Sequence, residues 1–129
     1  MLVLGNKSNM SIKKFSLVGL LNTFFGLFII FLAKWAGLDD ITSNLTGYAC
    51  GIILSFSLNS RWTFNYEGDR LRAFIIFVAI TVLAYIANLV TVLLLINLLY
   101  INSYLAQSLG IFPYFLISYY GSKNLAFSK

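Results

Sequence analysis

Hydrophobic positions fall into four long uncharged runs separated by short polar breaks. Phe15 to Ala33 is 19 residues without a charge, enough for one membrane crossing. Lys34, Trp35, Gly37, Asp39 and Asp40 then make a short turn. A second run covers Ile41 to Ser60, and Arg61 to Arg72 is the only substantial polar loop, with Glu67, Asp69 and Arg70 inside it. Ala73 to Leu99 is the third run. Asn97, Asn102 and Ser103 mark the next turn, and Leu105 to Ser122 is the fourth run. The pattern predicts an all-α membrane protein: four transmembrane helices over about residues 15–34, 41–60, 72–98 and 103–122, in one domain covering 1–129.

Composition agrees with that solvent. Of 129 residues, 60% are hydrophobic and 10% charged, more apolar surface than a soluble domain of this length can hide. The net charge of +5 could signal nucleic acid, but the basic residues lie between apolar runs and read as topology signals. No nucleic-acid partner is expected. The chain has no histidine, so metal sites and histidine-based catalysis are not expected, and no cofactor is implied. Cys50, the one cysteine, lies inside a run and reads as a packing residue. The first run exceeds a usual signal-peptide core and lacks a small-x-small cleavage pattern, so it reads as a retained helix.

Four crossings put both termini on one side. That side carries Lys7, Lys13, Lys14, Arg61, Arg70, Arg72, Lys123 and Lys129, against Lys34 alone on the other. The positive-inside rule therefore predicts cytoplasmic termini and a cytoplasmic middle loop. A weak repeat accompanies this. An offset of 63 residues carries Asn44 onto Gln107, Gly47 onto Gly110, Ser55 onto Ser118, Asn59 onto Ser122 and Phe64 onto Phe127. Each half reads as a helical hairpin, two parallel repeats about an axis along the membrane normal.

Gly47, Gly51, Ser55 and Asn59 form one helical stripe of small and hydrogen-bonding side chains, followed at once by Arg61 and Trp62. In lipid such a stripe calls for another helix or a polar ligand. Arg61 stands where a phosphate at the membrane surface would be gripped by two parallel hydrogen bonds, with Asn59 adding another. Ser122 and Lys123 form a weaker copy. Trp62 reads as an interfacial anchor, while Lys13, Lys14, Arg70, Arg72 and Lys123 supply attraction to anionic lipid.

The first and third runs carry narrow polar faces: Gly19, Asn22, Thr23 and Gly26, then Ala84, Ala87, Asn88 and Thr91. At about 1.5 Å per residue Asn22 lies roughly 12 Å deeper than Lys14, and Asn88 roughly 24 Å beyond Arg72. Two readings stand side by side: stepping points for a sugar hydroxyl, or hydrogen bonds between helices. No Asp or Glu lies within any run, which disfavours a proton-coupled exporter. Pro113, after Gly110, predicts a kink in the fourth helix.

The stretches KKFSLVGLLNTFFG, SFSLNSRWTF and SYYGSKNLAF, with the charged loop between them, resemble the GtrA-like family of small four-helix bacterial membrane proteins. The resemblance runs from Lys13 to the C-terminus. Family members end the second and fourth helices in an Asn-Arg-x-Trp-x-Phe signature. Here the first copy reads Asn59, Ser60, Arg61, Trp62, Thr63, Phe64, with Ser60 at the usual Arg position. The second is degraded to Ser122, Lys123, Asn124, Leu125, Ala126, Phe127.

What the resemblance implies is movement of a polyprenyl-phosphate-linked sugar, often undecaprenyl-phosphate glucose, across the bacterial cytoplasmic membrane for cell-surface polysaccharide glycosylation. Membrane glycosyltransferases would make the substrate inside and use it outside. On that reading the chain is a flippase and not an enzyme, with no catalytic residue. Arg61, Asn59, Lys123, Ser122 and Lys14 contact the lipid phosphate. Asn22, Asn88, Ser55 and Gln107 lie along the sugar path, and a homo-oligomer, a dimer or larger, thickens the wall. The competing reading is a non-transporting scaffold that recruits the glycosyltransferase.

Overall fold

The computed structural model describes the backbone of residues 2–128 and the side chains of residues 10–128. Lys129 and the side chain of Lys7, both counted above as cytoplasmic charges, lie outside the described residues. Every regular element among the described residues is helical. The contacts divide the chain between Tyr66 and Glu67 into two compact units, and each is a helical hairpin.

In the first hairpin, α1 (Leu2–Trp35) starts well before the apolar run it was expected to follow. Hydropathy marks where the membrane begins, not where a helix must, and no proline interrupts residues 2–14. The helix ends where the Gly37 N–H bonds the Lys34 carbonyl at 3.0 Å and the Leu38 N–H bonds the Ala33 carbonyl at 3.0 Å. That pair of bonds needs a left-handed residue at Gly37, whose φ is +104°. Asp39 then caps α2 (Asp40–Leu58), its Oδ1 accepting the Thr42 N–H at 3.3 Å. Hydrogen bonding to Thr42 holds the Asp39 carboxyl below its ordinary value. Lys34 pairs with Asp40 at 3.0 Å across the turn, but both side chains are at least half exposed, so the pair adds little.

The stripe on α2 takes the helix partner that its small residues call for. A Cβ on Gly47 would collide with Ile30 and come within 3.0 Å of the Gly26 carbonyl oxygen. A Cβ on Gly51 would sit 2.7 Å from Asn22 Oδ1. The two glycines therefore let α1 and α2 approach at backbone distance. Opposite that seam the helix surfaces stay apolar and open; Phe24, Phe28 and Phe31 are each more than 60% exposed. Lipid tails are the medium that such a surface fits.

The second hairpin opens with α3 (Arg70–Asn97), capped by Asp69, whose Oδ1 accepts from the Leu71 and Arg72 N–H groups at 3.1 and 3.4 Å. The fourth run, expected as one kinked helix over 103–122, is two helices: α4 (Ser103–Leu109) and α5 (Ile111–Gly121). Pro113 explains the division. It has no N–H for the Leu109 carbonyl, and its ring crowds that same group. The strain shows one residue on, where the Tyr114 N–H to Gly110 carbonyl bond is stretched to 3.4 Å. Three helical segments, Met10–Trp35, Asp40–Thr63 and Arg70–Asn97, are long and apolar enough to cross a membrane.

Both hairpins finish in the same unusual element. Asn59–Thr63 and Ser122–Ala126 are five-residue π turns, 63 residues apart. In each, an N–H five residues on closes the turn: Phe64 to Asn59 at 2.9 Å and Phe127 to Ser122 at 2.8 Å. Each closing phenylalanine packs its ring on the other long helix of its own hairpin. Phe64 meets Phe15 at 6.2 Å between centroids, and Phe127 meets Phe77 at 5.8 Å, both tilted.

Candidate functional site

The π turn decides which side chains of the Asn59–Phe64 signature reach the surface. A turn of i→i+5 bonds is wider than an α turn and shifts the facing of every residue after it. Asn59, Ser60 and Thr63 go inward and are buried, while Arg61 and Trp62 are left exposed. The buried three are held within their own helix. Asn59 Nδ2 donates to Ser55 Oγ at 3.2 Å, and Thr63 Oγ1 donates to Asn59 Oδ1 at 2.7 Å. Ser60 Oγ donates to the Ser57 carbonyl at 3.2 Å. The Tyr66 N–H bonds the Ser60 carbonyl at 2.6 Å and turns the chain out of the helix.

Asn59 and Arg61, expected to act together on one phosphate, are thus separated by the turn. The carboxamide is 1% exposed, and each of its two ends is hydrogen-bonded internally. What joins Arg61 at the surface comes from the other helix. Lys14, half-buried on α1, places its Nζ over the Trp62 ring, 5.3 Å from the centroid. Ammonium over indole is the strongest cation–π pairing among side chains, and partial burial strengthens it. Arg61 and Lys14 have no carboxylate partner among the described residues. One cation over an exposed indole, with a second exposed cation preceding that indole in the chain, puts positive charge at the end of an apolar hairpin, a setting suited to an anion.

The remaining expected residues divide by role. Asn88 Nδ2 donates to the Gly110 carbonyl at 2.9 Å, so it spans from α3 to the break in the fourth run. Asn22 sits against Gly51 with its Oδ1 buried and without a hydrogen-bond partner. Ser55 is half-buried and is occupied by Asn59. Gln107 lies on the exposed face of α4. At the end of the second hairpin Ser122 is fully buried, with its hydroxyl unpartnered, as is that of Ser118 one turn earlier. Lys123 is half-buried, with its Nζ 5.9 Å from the Tyr119 ring centroid.

Sequence reasoning did not find the Lys14–Trp62 pair or the two ring pairs. The signal for Lys14 was available: a cation and an aromatic at the same end of adjacent antiparallel helices. The ring pairs were hidden by a register change. Phe77 follows Phe15 by 62 residues, whereas Phe127 follows Phe64 by 63, so no single offset aligns both. The seams follow the same shift. Gly26 and Ile30 face Gly47, and Asn88 and Val92, 62 residues on, face Gly110.

No curated protein matches this chain. Residues 14–127 match the family of the GtrA/DPMS transmembrane domain, a span that starts at the cation over Trp62 and closes on the ring of Phe127; the chain belongs to this GtrA-like family.

Proposed function

We propose that the chain is a flippase for a polyprenyl-phosphate-linked sugar, undecaprenyl-phosphate glucose being the best-fitting example, and that it has no catalytic residue. The observation that carries this is the Lys14 Nζ over the Trp62 ring, with the exposed Arg61 next to Trp62 in the chain: two cations without a carboxylate partner among the described residues, at the end of a helical hairpin. A lipid phosphate offers what those cations lack. Arg61 supplies paired donors, Lys14 a second positive charge, and Trp62 an anchor at the headgroup level. Membership in a family built around handling of lipid-linked sugars supports the same reading.

In this reading the chain makes one four-crossing domain in the bacterial cytoplasmic membrane. Both termini are inside, and α4, α5 and the turn after them serve together as the fourth crossing. The break at Gly110 is then a polar point at membrane depth, already occupied by Asn88. Membrane glycosyltransferases supply and consume the substrate, and a homo-oligomer shields the path.

A second reading, a scaffold that orients a glycosyltransferase without transport, draws on one observation. The Asn59 and Asn88 carboxamides are both engaged inside their hairpins, leaving fewer polar groups along a path. Purified protein in vesicles separates the two. The flippase moves labelled undecaprenyl-phosphate glucose unaided, and Arg61→Ala together with Lys14→Gln slows it at least tenfold. A parent protein that moves no lipid, yet co-purifies with a glycosyltransferase through the Arg61 to Arg72 loop, is the scaffold.

A further inference from the structure

We infer that the end of the second hairpin holds a buried subsite for a single neutral hydroxyl-bearing guest, built by Ser118 and Ser122. The inference deepens the flippase reading and rests on it where the guest is a sugar. Its starting point is a comparison of equivalent positions. In the first hairpin Ser55, Asn59 and Thr63 form a closed chain of side-chain hydrogen bonds. Sixty-three residues on, the same positions hold Ser118, Ser122 and Ala126. The carboxamide that linked its two neighbours is gone, and so is the hydroxyl that satisfied it. Ser118 is 8% exposed and Ser122 fully buried, and neither hydroxyl has a hydrogen-bond partner among the described residues.

A buried hydroxyl without a partner is costly, and two on successive turns of one helix face are unusual. Side chains four apart on a helix stand about 5–6 Å apart at Cβ, a separation that one bridging oxygen spans. Each serine can donate one hydrogen bond and accept two. A guest that both donates and accepts uses the donor and acceptor sides of both residues, whereas a phosphate buried here would accept from both hydroxyls but also need a countercharge. The nearest cation points elsewhere: the Lys123 Nζ lies by the Tyr119 ring, leaving the serine pair neutral in character. The two ends of the protein are therefore unequal. The first presents cations to an anion, and the second presents hydroxyls to a hydroxyl. That hydroxyl belongs either to the sugar of the lipid-linked substrate or to a water molecule.

Two variants test this. Ser118→Ala with Ser122→Ala removes the hydroxyls, and Ser122→Asn with Ala126→Thr rebuilds the closed chain of the first hairpin. Each is reconstituted in vesicles with undecaprenyl-phosphate glucose and, separately, with undecaprenyl phosphate. The readout is the ratio of the two rates. A sugar guest predicts that both variants lower this ratio about tenfold. A water guest predicts an unchanged ratio, with the alanine variant melting several degrees below the parent in substrate-free detergent and the Asn/Thr variant recovering that loss. An unchanged ratio with an alanine variant as stable as the parent, or more so, overturns the subsite. If the parent moves neither lipid, the flippase reading has failed instead, and the melting comparison alone decides whether the serines hold a guest.

Discussion

The carboxamide of Asn88 donates to the carbonyl of Gly110 at 2.9 Å, and this bond sits at the weakest point of the second hairpin. Pro113 cannot bond the Leu109 carbonyl, and the next backbone bond, from Tyr114, is stretched to 3.4 Å. Asn88 thus reinforces from another helix the Gly110 carbonyl, whose own backbone bond is stretched beside the proline. Gly110 makes the approach possible, since a Cβ there would lie 2.8 Å from Val92 Cγ2 and 3.1 Å from Asn88 Nδ2.

Asn88→Leu should destabilise the second hairpin by about 1 kcal/mol, the usual worth of such a bond between membrane helices. Asn88→Asp sets an acceptor against an acceptor and should cost more at neutral pH. Reversible unfolding in mixed micelles measures both. A Leu variant as stable as the parent would remove Asn88 from any structural role.

Gly51 and Asn22 make a second, independent pair. Gly51→Ala drives a methyl to 2.7 Å from Asn22 Oδ1, a distance that real side chains do not adopt. Either the Asn22 carboxamide turns aside or the helices separate, at a cost of up to about 1–3 kcal/mol. Asn22→Ala removes the obstacle, so the double variant should recover most of that loss. The coupling energy from a double-mutant cycle on thermal unfolding checks this, and simple additivity would mean that the two residues do not meet.

These pairs show how far the pattern of residues carries. Helical content follows from the uncharged runs, and the seam at Gly47 and Gly51 from their four-residue spacing. Pro113 announces a disturbance in the fourth run, although its place depends on Gly110 and Asn88 together. The π turns were not legible. Nothing in Asn59 to Thr63 distinguishes an i→i+5 turn from an α turn, because what the two π turns share is tertiary: the closing phenylalanine packs on the other long helix of its hairpin, Phe64 on Phe15 and Phe127 on Phe77. That one-residue insertion begins at Asn59, which stays on the stripe of Gly47, Gly51 and Ser55 with its carboxamide spent inside the helix. It leaves Arg61 and Trp62 exposed, as their amphipathic character suggests.

Asp39 makes stability depend on pH in a defined direction. Its carboxyl is held below the ordinary value by hydrogen bonding to Thr42, so the folded state prefers the ionised form. The cap contributes fully at neutral pH and is lost as pH falls through the carboxylate range. Asp39→Asn, which still caps but does not titrate, should narrow the difference between melting temperatures at pH 7 and pH 3 (about the limits of that range). The effect is small because the group is fully exposed. An unchanged difference would mean that the Asp39 cap carries none of the pH dependence.

Asn59 and Arg61 stand two residues apart in one signature and should fail in opposite ways. Asn59→Ala strips the acceptor from Thr63 and the donor from Ser55 inside a buried chain. A loss of about 1–3 kcal/mol of stability follows, since the abandoned Thr63 hydroxyl stays buried. Arg61 is exposed, with no ion-pair partner among the described residues, so Arg61→Ala should leave the melting temperature within about 1 °C, as expected of a surface change. Its effect should fall on anion recognition instead. Lipid-phosphate transport should drop severalfold and become less sensitive to added salt, because a screened charge has been removed. Arg61→Lys keeps the charge but not the paired donors, and should recover only part of the rate. Melting curves and vesicle transport at two salt concentrations, run on all three variants, resolve the two roles. Should Arg61→Ala melt early while transporting at the parent rate, the guanidinium is a structural group and the proposed site loses its principal ligand for phosphate.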